Sequence, residues 1–154
     1  MSPAATPGYV KNMIYRSLQT LVDPEPSDKD KNQVRDFFDN QCAYCGEPLM
    51  QRGDIDHLVP AARGKGGSNS LANRVLSCKS CNSKEKRAED WTAFLKQKCP
   101  PGTFRKRRLK IQQWIKRNGG NRLLDPQTRE RVDREYDLAR EAYDGAVARI
   151  KIVC

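Results

Sequence analysis

The three runs Cys42-Ala43-Tyr44-Cys45, Asp56-His57-Leu58-Val59-Pro60 and Cys78-Lys79-Ser80-Cys81-Asn82 decide the reading of this chain. Two Cys-x-x-Cys pairs bracket His57, the only histidine among 154 residues. Each pair forms a tight turn that offers two sulfurs to one side, and four thiolates at this spacing suit tetrahedral zinc. Protein fills all four positions of such an ion. The zinc expected at Cys42, Cys45, Cys78 and Cys81 is therefore structural, with no place for a substrate water. Two disulfides or a redox dithiol compete with this reading. Redox work needs one pair rather than two. Met1–Gly8 also lacks a secretory signature, which points to a reducing, cytoplasmic setting where disulfides are rare. Cys99 and Cys154 are left over and read as free thiols.

Outward from the clamp, the composition is lean in apolar residues. The hydrophobic share is 37% and the mean hydropathy −0.84, so a metal or an oligomer would help hold the core. No apolar run is long enough to span a membrane. The formal net charge is +10, and its placement says more than its size. Trp91 to Leu124 contains ten basic residues and no Asp or Glu, while the rest of the chain is formally neutral. A concentrated positive segment suits a phosphate backbone. A solvated helix would ordinarily mix signs.

The rest of the pattern is helical. Val10, Ile14, Leu18 and Leu21 predict an amphipathic helix over 9–22, after a disordered lead-in at 1–8. Asp23-Pro24-Glu25-Pro26 ends it, and Ser27 or Asp28 caps a second helix to about Asn40. Residues 54–59 have strand character, and Gly64-Lys65-Gly66-Gly67-Ser68-Asn69 is a loop. One helix is expected from Cys81 to about Lys98 and a basic one over about Phe104–Lys116. Asp125-Pro126 then opens a last helix with an apolar stripe at Val132, Tyr136, Ala139, Tyr143, Val147 and Ile150. That stripe packs within the chain or forms a homodimer seam. Three segments follow: 1–40 helical, 41–98 a zinc-stabilised core, and 99–154 a basic helix plus the C-terminal amphipathic helix. The fold class is α+β and predominantly helical.

Asp56-His57-x-x-Pro60, Gly66-Gly67-x-Asn69 and Asn73-x-Val75-Leu76-x-Cys78-x-x-Cys81-Asn82, with Lys84 or Lys86 beyond, resemble the HNH endonuclease motif. The resemblance covers about residues 40–87 and implies a small ββα-metal core among additional helices. It implies that His57 is a general base and that Asp56 and Asn82 hold one catalytic Mg²⁺ or Mn²⁺. It implies that Asn73 orients the histidine or braces the loop. Asn82 stands where many members of the family have a second histidine. Elementary chemistry agrees: neutral imidazole, with an ordinary pKa of about 6.5, suits proton abstraction near neutrality. Carboxylate and amide oxygens suit a hard divalent ion. Adjacent strand residues face opposite ways, so Asp56 and His57 can flank a site from two sides.

The resemblance thus implies a metal-dependent DNA endonuclease, of restriction or phage type, leaving 5′-phosphate and 3′-hydroxyl ends. A non-catalytic zinc module that binds nucleic acid and an RNase are the alternatives. Arg105, Lys106, Arg107, Arg108, Lys110, Lys116 and Arg117 are expected to grip phosphates, with Arg63, Lys65 and Lys84 nearer the loop.

Overall fold

The computed structural model describes residues 6–50, 52–85 and 90–153; the side chains at 83–85 and 153 fall outside that description. Helix α1 spans Pro7–Val22. It starts earlier than the sequence predicts because Thr6 serves as N-cap, its hydroxyl accepting from Tyr9 N at 3.3 Å, and Pro7 suits the first turn. Helix α2 spans Asp28–Phe37 and opens on a reciprocal capping box. Asp30 N donates to the Ser27 hydroxyl at 3.2 Å, and Ser27 N donates to the Asp30 carboxylate at 3.0 Å.

Strands β1 (Asp54–His57) and β2 (Arg74–Ser77) form a two-stranded antiparallel sheet. Asp56 pairs with Val75 and His57 with Arg74. All of β2 is buried, whereas β1 is only partly covered and so presents a face to the outside. The connection between the strands is a long loop closed by a 3-10 turn at Leu71–Asn73. Ala43 N donates to Leu76 O at 2.8 Å, which docks the first cysteine turn on β2.

After the second cysteine pair the chain does not form the single long helix expected to Lys98. One wide π-type turn covers Ser80–Glu85, and α3 (Trp91–Lys98) is a separate helix. The break has a local cause. Asp90 is in an extended conformation, and its carboxylate accepts from Thr92 N at 2.9 Å and Ala93 N at 3.1 Å, making it an N-cap. Helix α4 (Phe104–Arg117) and the 28-residue α5 (Pro126–Val153) follow close to their expected bounds. Thr128 N donates to Asp125 at 2.8 Å, capping α5 as expected.

The main core gathers Val34 and Phe38 of α2, Tyr44 and the cysteines of the clamp, Val75 and Leu76 of β2, Phe94 and Leu95 of α3, and Ile111 and Trp114 of α4. Trp114 is 1% exposed, stacks at a tilt on Phe37 at 4.9 Å, and donates its indole N–H to Leu71 O at 2.8 Å. An aromatic side chain of this size contributes several kcal/mol when fully buried, of order 3–5 kcal/mol on truncation. A second, smaller cluster joins α1 to α5. Tyr15 meets Tyr136 edge-on at 5.3 Å, beside Val132, Ile14 and Leu18. The first half of the α5 stripe is therefore spent on α1. Farther along, Ile150 is 68% exposed.

The result is an α+β fold, mainly helical, with a small antiparallel sheet and a cluster of four sulfurs. Among the described residues, no helix is long and apolar enough to cross a membrane.

Candidate active site and metal centre

The four sulfurs of Cys42, Cys45, Cys78 and Cys81 lie within 4.8 Å of one another. Cys45 and Cys78 Sγ are 3.8 Å apart, which matches the edge of a tetrahedron built on Zn–S bonds of about 2.3 Å. It is far too long for a disulfide of about 2.05 Å. Burial pushes the Cys78 thiol up to about 11 and the Cys81 thiol higher still. Burial acts upward on Cys42 as well, but backbone hydrogen bonds from Cys78, Cys45 and Tyr44 outweigh it and hold that thiol below the usual range. The donor set and its spacing fit a zinc ion, which would hold all four as thiolates. Cys99 carries a free thiol; Cys154 lies outside the described residues.

The clamp reaches the sheet through Tyr44, which sits between its first two cysteines. Tyr44 is fully buried and donates its hydroxyl to Asp56 Oδ2 at 3.2 Å. Burial, then the Asp56 charge, holds that phenol well above its ordinary pKa, so it stays a neutral donor. Two residues back along the same strand face, Asp54 Oδ2 accepts from Asn82 Nδ2 at 3.1 Å. A carboxylate accepts only, so this contact fixes the amide of Asn82 and turns its Oδ1 the other way.

His57 ends β1, and its Nε2 lies 3.0 Å from Asn69 Oδ1. The Asn69 amide cannot be flipped without conflict. Its Nδ2 donates to the backbone carbonyl of Asp23 at 2.6 Å, and its Oδ1 accepts from the Arg74 guanidinium at 2.6 Å. Oδ1 therefore accepts from His57 Nε2–H, and in the neutral ring the lone pair is on Nδ1. Asp23 Oδ2 also accepts from Asn69 N at 2.6 Å, while Arg74 is anchored by Glu25 at 2.6 Å. The link after α1 thus grips the loop that grips the histidine. Gly67 is required in that loop: a Cβ there would meet Val59 O at 2.0 Å.

The Asn73 amide bonds to the backbone at both ends of the loop. Its Oδ1 accepts from Val59 N at 2.8 Å, and its Nδ2 donates to Val59 O at 2.9 Å and Ser68 O at 2.7 Å.

Asp56, His57 and Asn82 line one cleft of about 360 Å³, together with Arg16, Arg74 and the Pro60–Ala62 turn. The basic residues expected at the substrate divide into two groups. Arg63 is turned away: it pairs with Asp137 at 2.6 Å and stacks over Tyr136 at 5.1 Å, tying the loop to α5. Arg107 donates to Cys42 O at 3.2 Å and packs over Gly46, so it supports the clamp. Lys110 pairs with Asp39 at 2.5 Å, and Arg117 lies 5.9 Å from the Phe37 ring. Lys65, Arg105, Lys106, Arg108 and Lys116 are exposed, and none of them lines the cleft. The Lys84 side chain and Lys86 lie outside the described residues.

Tyr44, Asp54, Arg74 and Arg16 have no role in the sequence reading, and Asn69 enters it only as a motif position without an assigned role. A signal existed for Asp54, which is two residues before Asp56 and so on the same strand face. Asn69 stood within the quoted glycine-rich run. Nothing local marks Arg16.

Comparison with known proteins agrees with this geometry. Residues 42–88 match the model of the HNH endonuclease family. The CRISPR-associated endonuclease Cas9 of Corynebacterium diphtheriae is 46% identical over 43 residues, which is 27% of this chain and 4% of that protein. The chain therefore aligns with only a small part of its relative's length. No solved structure gives a significant match. Residues 42–88, with the sulfur clamp and the Asp56-His57 step inside them, are thus similar to the HNH endonuclease family.

Proposed function

We propose that this chain is a metal-dependent DNA endonuclease. The observation that carries the reading is the shared cleft of Asp56, His57 and Asn82, with the imidazole tautomer set by Asn69. Asp56 and Asn82 Oδ1 would hold a hard divalent ion, Mg²⁺ or Mn²⁺. When bound, that ion supplies positive charge to the departing oxygen and to the phosphate.

The chain's own residues do the rest. His57 Nδ1 takes a proton from a water as its oxygen bonds to phosphorus. The P–O3′ bond breaks, leaving a 5′-phosphate and a 3′-oxygen that takes a proton from solvent. Asn69 keeps the ring on edge and keeps Nε2 protonated. Tyr44 and Asp54 hold Asp56 and Asn82 in place without entering the reaction. The exposed cations of α4 contact backbone phosphates rather than bases.

Supercoiled plasmid with Mg²⁺ or Mn²⁺ tests this reading. The wild type should convert it to nicked circles, and His57→Ala should lose at least about a hundredfold in rate. Equal rates for the two proteins would remove His57 as the base. Salt-sensitive binding without nicking would favour a non-catalytic module, and faster cleavage of competing RNA would favour an RNase.

A further inference from the structure

The cleft has two arginines, and the chain treats them differently. Arg74 is 4% exposed and answered by Glu25 at 2.6 Å. Arg16 comes from α1, outside the family match at 42–88, and lies exposed on the rim beside Asp56, His57 and Asn82. Its guanidinium has no hydrogen bond or ion pair among the described residues. Two other cations at the loop and on α1 are answered by carboxylates of α5: Arg63 by Asp137 and Lys11 by Asp144 at 2.7 Å. Arg16 is thus a charge presented to the cleft with no partner among the described residues. Helix α1 carries no Asp or Glu at all, so its own element does not screen that charge.

The placement is built rather than incidental. Gln19, one turn beyond Arg16 and 3% exposed, donates to Gly67 O at 3.0 Å and to Asp23 at 3.1 Å. Tyr15, next to Arg16, is buried against Tyr136. Helix α1 is therefore pinned on both flanks of Arg16, to the histidine loop and to α5. A pinned helix holds a long side chain over the cleft at low entropic cost.

We propose that Arg16 is a substrate-binding residue: its planar fork takes the non-bridging oxygens of the phosphodiester seated between His57 and the Asp56–Asn82 pair. This deepens the nuclease reading and rests on it for the identity of that phosphate. A guanidinium suits two phosphate oxygens at once, and its charge gains value as negative charge builds on phosphorus. Helix α1, outside the family segment, thus contributes to the site itself.

The test uses the full-length chain with zinc bound, and two readouts. In the first, plasmid nicking with Mn²⁺, Arg16→Ala should lower kcat/KM by at least about tenfold, with part of the loss in kcat. Arg16→Lys should recover only part of it. In the second, each variant is placed in a His57→Ala background and binding of a labelled DNA duplex is followed against salt. Loss of Arg16 should reduce the slope of log affinity on log salt by about 0.9, one phosphate's worth. Melting temperatures should match the wild type, because the guanidinium holds nothing in the fold. A wild-type rate together with an unchanged salt slope would overturn the assignment. Should the wild type fail to nick while the slope still falls by one phosphate, the nuclease reading fails and Arg16 stands as a phosphate contact. Should the wild type nick and the slope stay fixed while kcat/KM falls with melting temperature, Arg16 is structural and the proposal is wrong.

Discussion

At the scale of single residues, the site is organised by hydrogen bonds whose direction is forced. Asn69 is the clearest example, because two neighbours dictate which end of its amide meets the imidazole: Arg74 can only donate and the Asp23 carbonyl can only accept. Asn69→Ala should therefore leave binding of substrate near its wild-type strength and lower kcat by about tenfold or more. The reason is that the ring loses its fixed tautomer while the cleft keeps its charge. Steady-state cleavage of a short duplex separates the two parameters; a change in KM alone would contradict the assignment. Only part of this was legible beforehand. The Asp56-His57 step and the sulfur spacing are local patterns whose chemistry is limited by residue type. The contacts Asn69–Asp23 and Arg74–Glu25 join residues 46 and 49 positions apart, and no periodicity in the sequence encodes such a pairing. Arg63 shows the converse. It looks like a loop cation awaiting phosphate, but it is consumed by Asp137 and Tyr136 on an element far along the chain.

At the scale of elements, caps and stops were the most readable features, since a cap is decided within four residues. Ser27, Asp125 and Pro126 act where the sequence places them. The misjudged helix after Cys81 has the same kind of cause: Asp90 is an N-cap, and its signal was masked by the continuous helical composition around it. The capping box on α2 leads to a pH prediction. Hydrogen bonds from the Ser27 hydroxyl and backbone N–H lower the pKa of the Asp30 carboxyl. A carboxylate with a lowered folded pKa stabilises the fold above its unfolded value of about 4, and that contribution is lost as pH falls through the folded value. The difference in melting temperature between wild type and Asp30→Ala should be open at about pH 6 and shrink as the pH falls below the unfolded value of about 4. A difference that persists unchanged in acid would show that Asp30 acts on α2 by some route other than its charge.

At the scale of the whole molecule, a lean chain positions its chemistry with two devices. The sulfur clamp fastens the first cysteine turn, β2 and the turn bearing Asn82 into one core, with Tyr44 reaching from the clamp to Asp56. The α1–α5 pair closes the other side, with Asp23 and Gln19 holding the histidine loop. The first device was visible in the sequence because thiolate spacing is diagnostic. The second was not, because two amphipathic stripes reveal that helices pack without revealing what they cover. Anomalous diffraction from crystals grown with zinc and soaked in Mn²⁺ tests the joint arrangement most directly. The account predicts a zinc peak bonded to Cys42, Cys45, Cys78 and Cys81 at about 2.3 Å, and a manganese peak on oxygens of Asp56 and Asn82 within reach of His57 Nδ1 through one water. Manganese bound elsewhere, with those two oxygens left without it, would contradict the account.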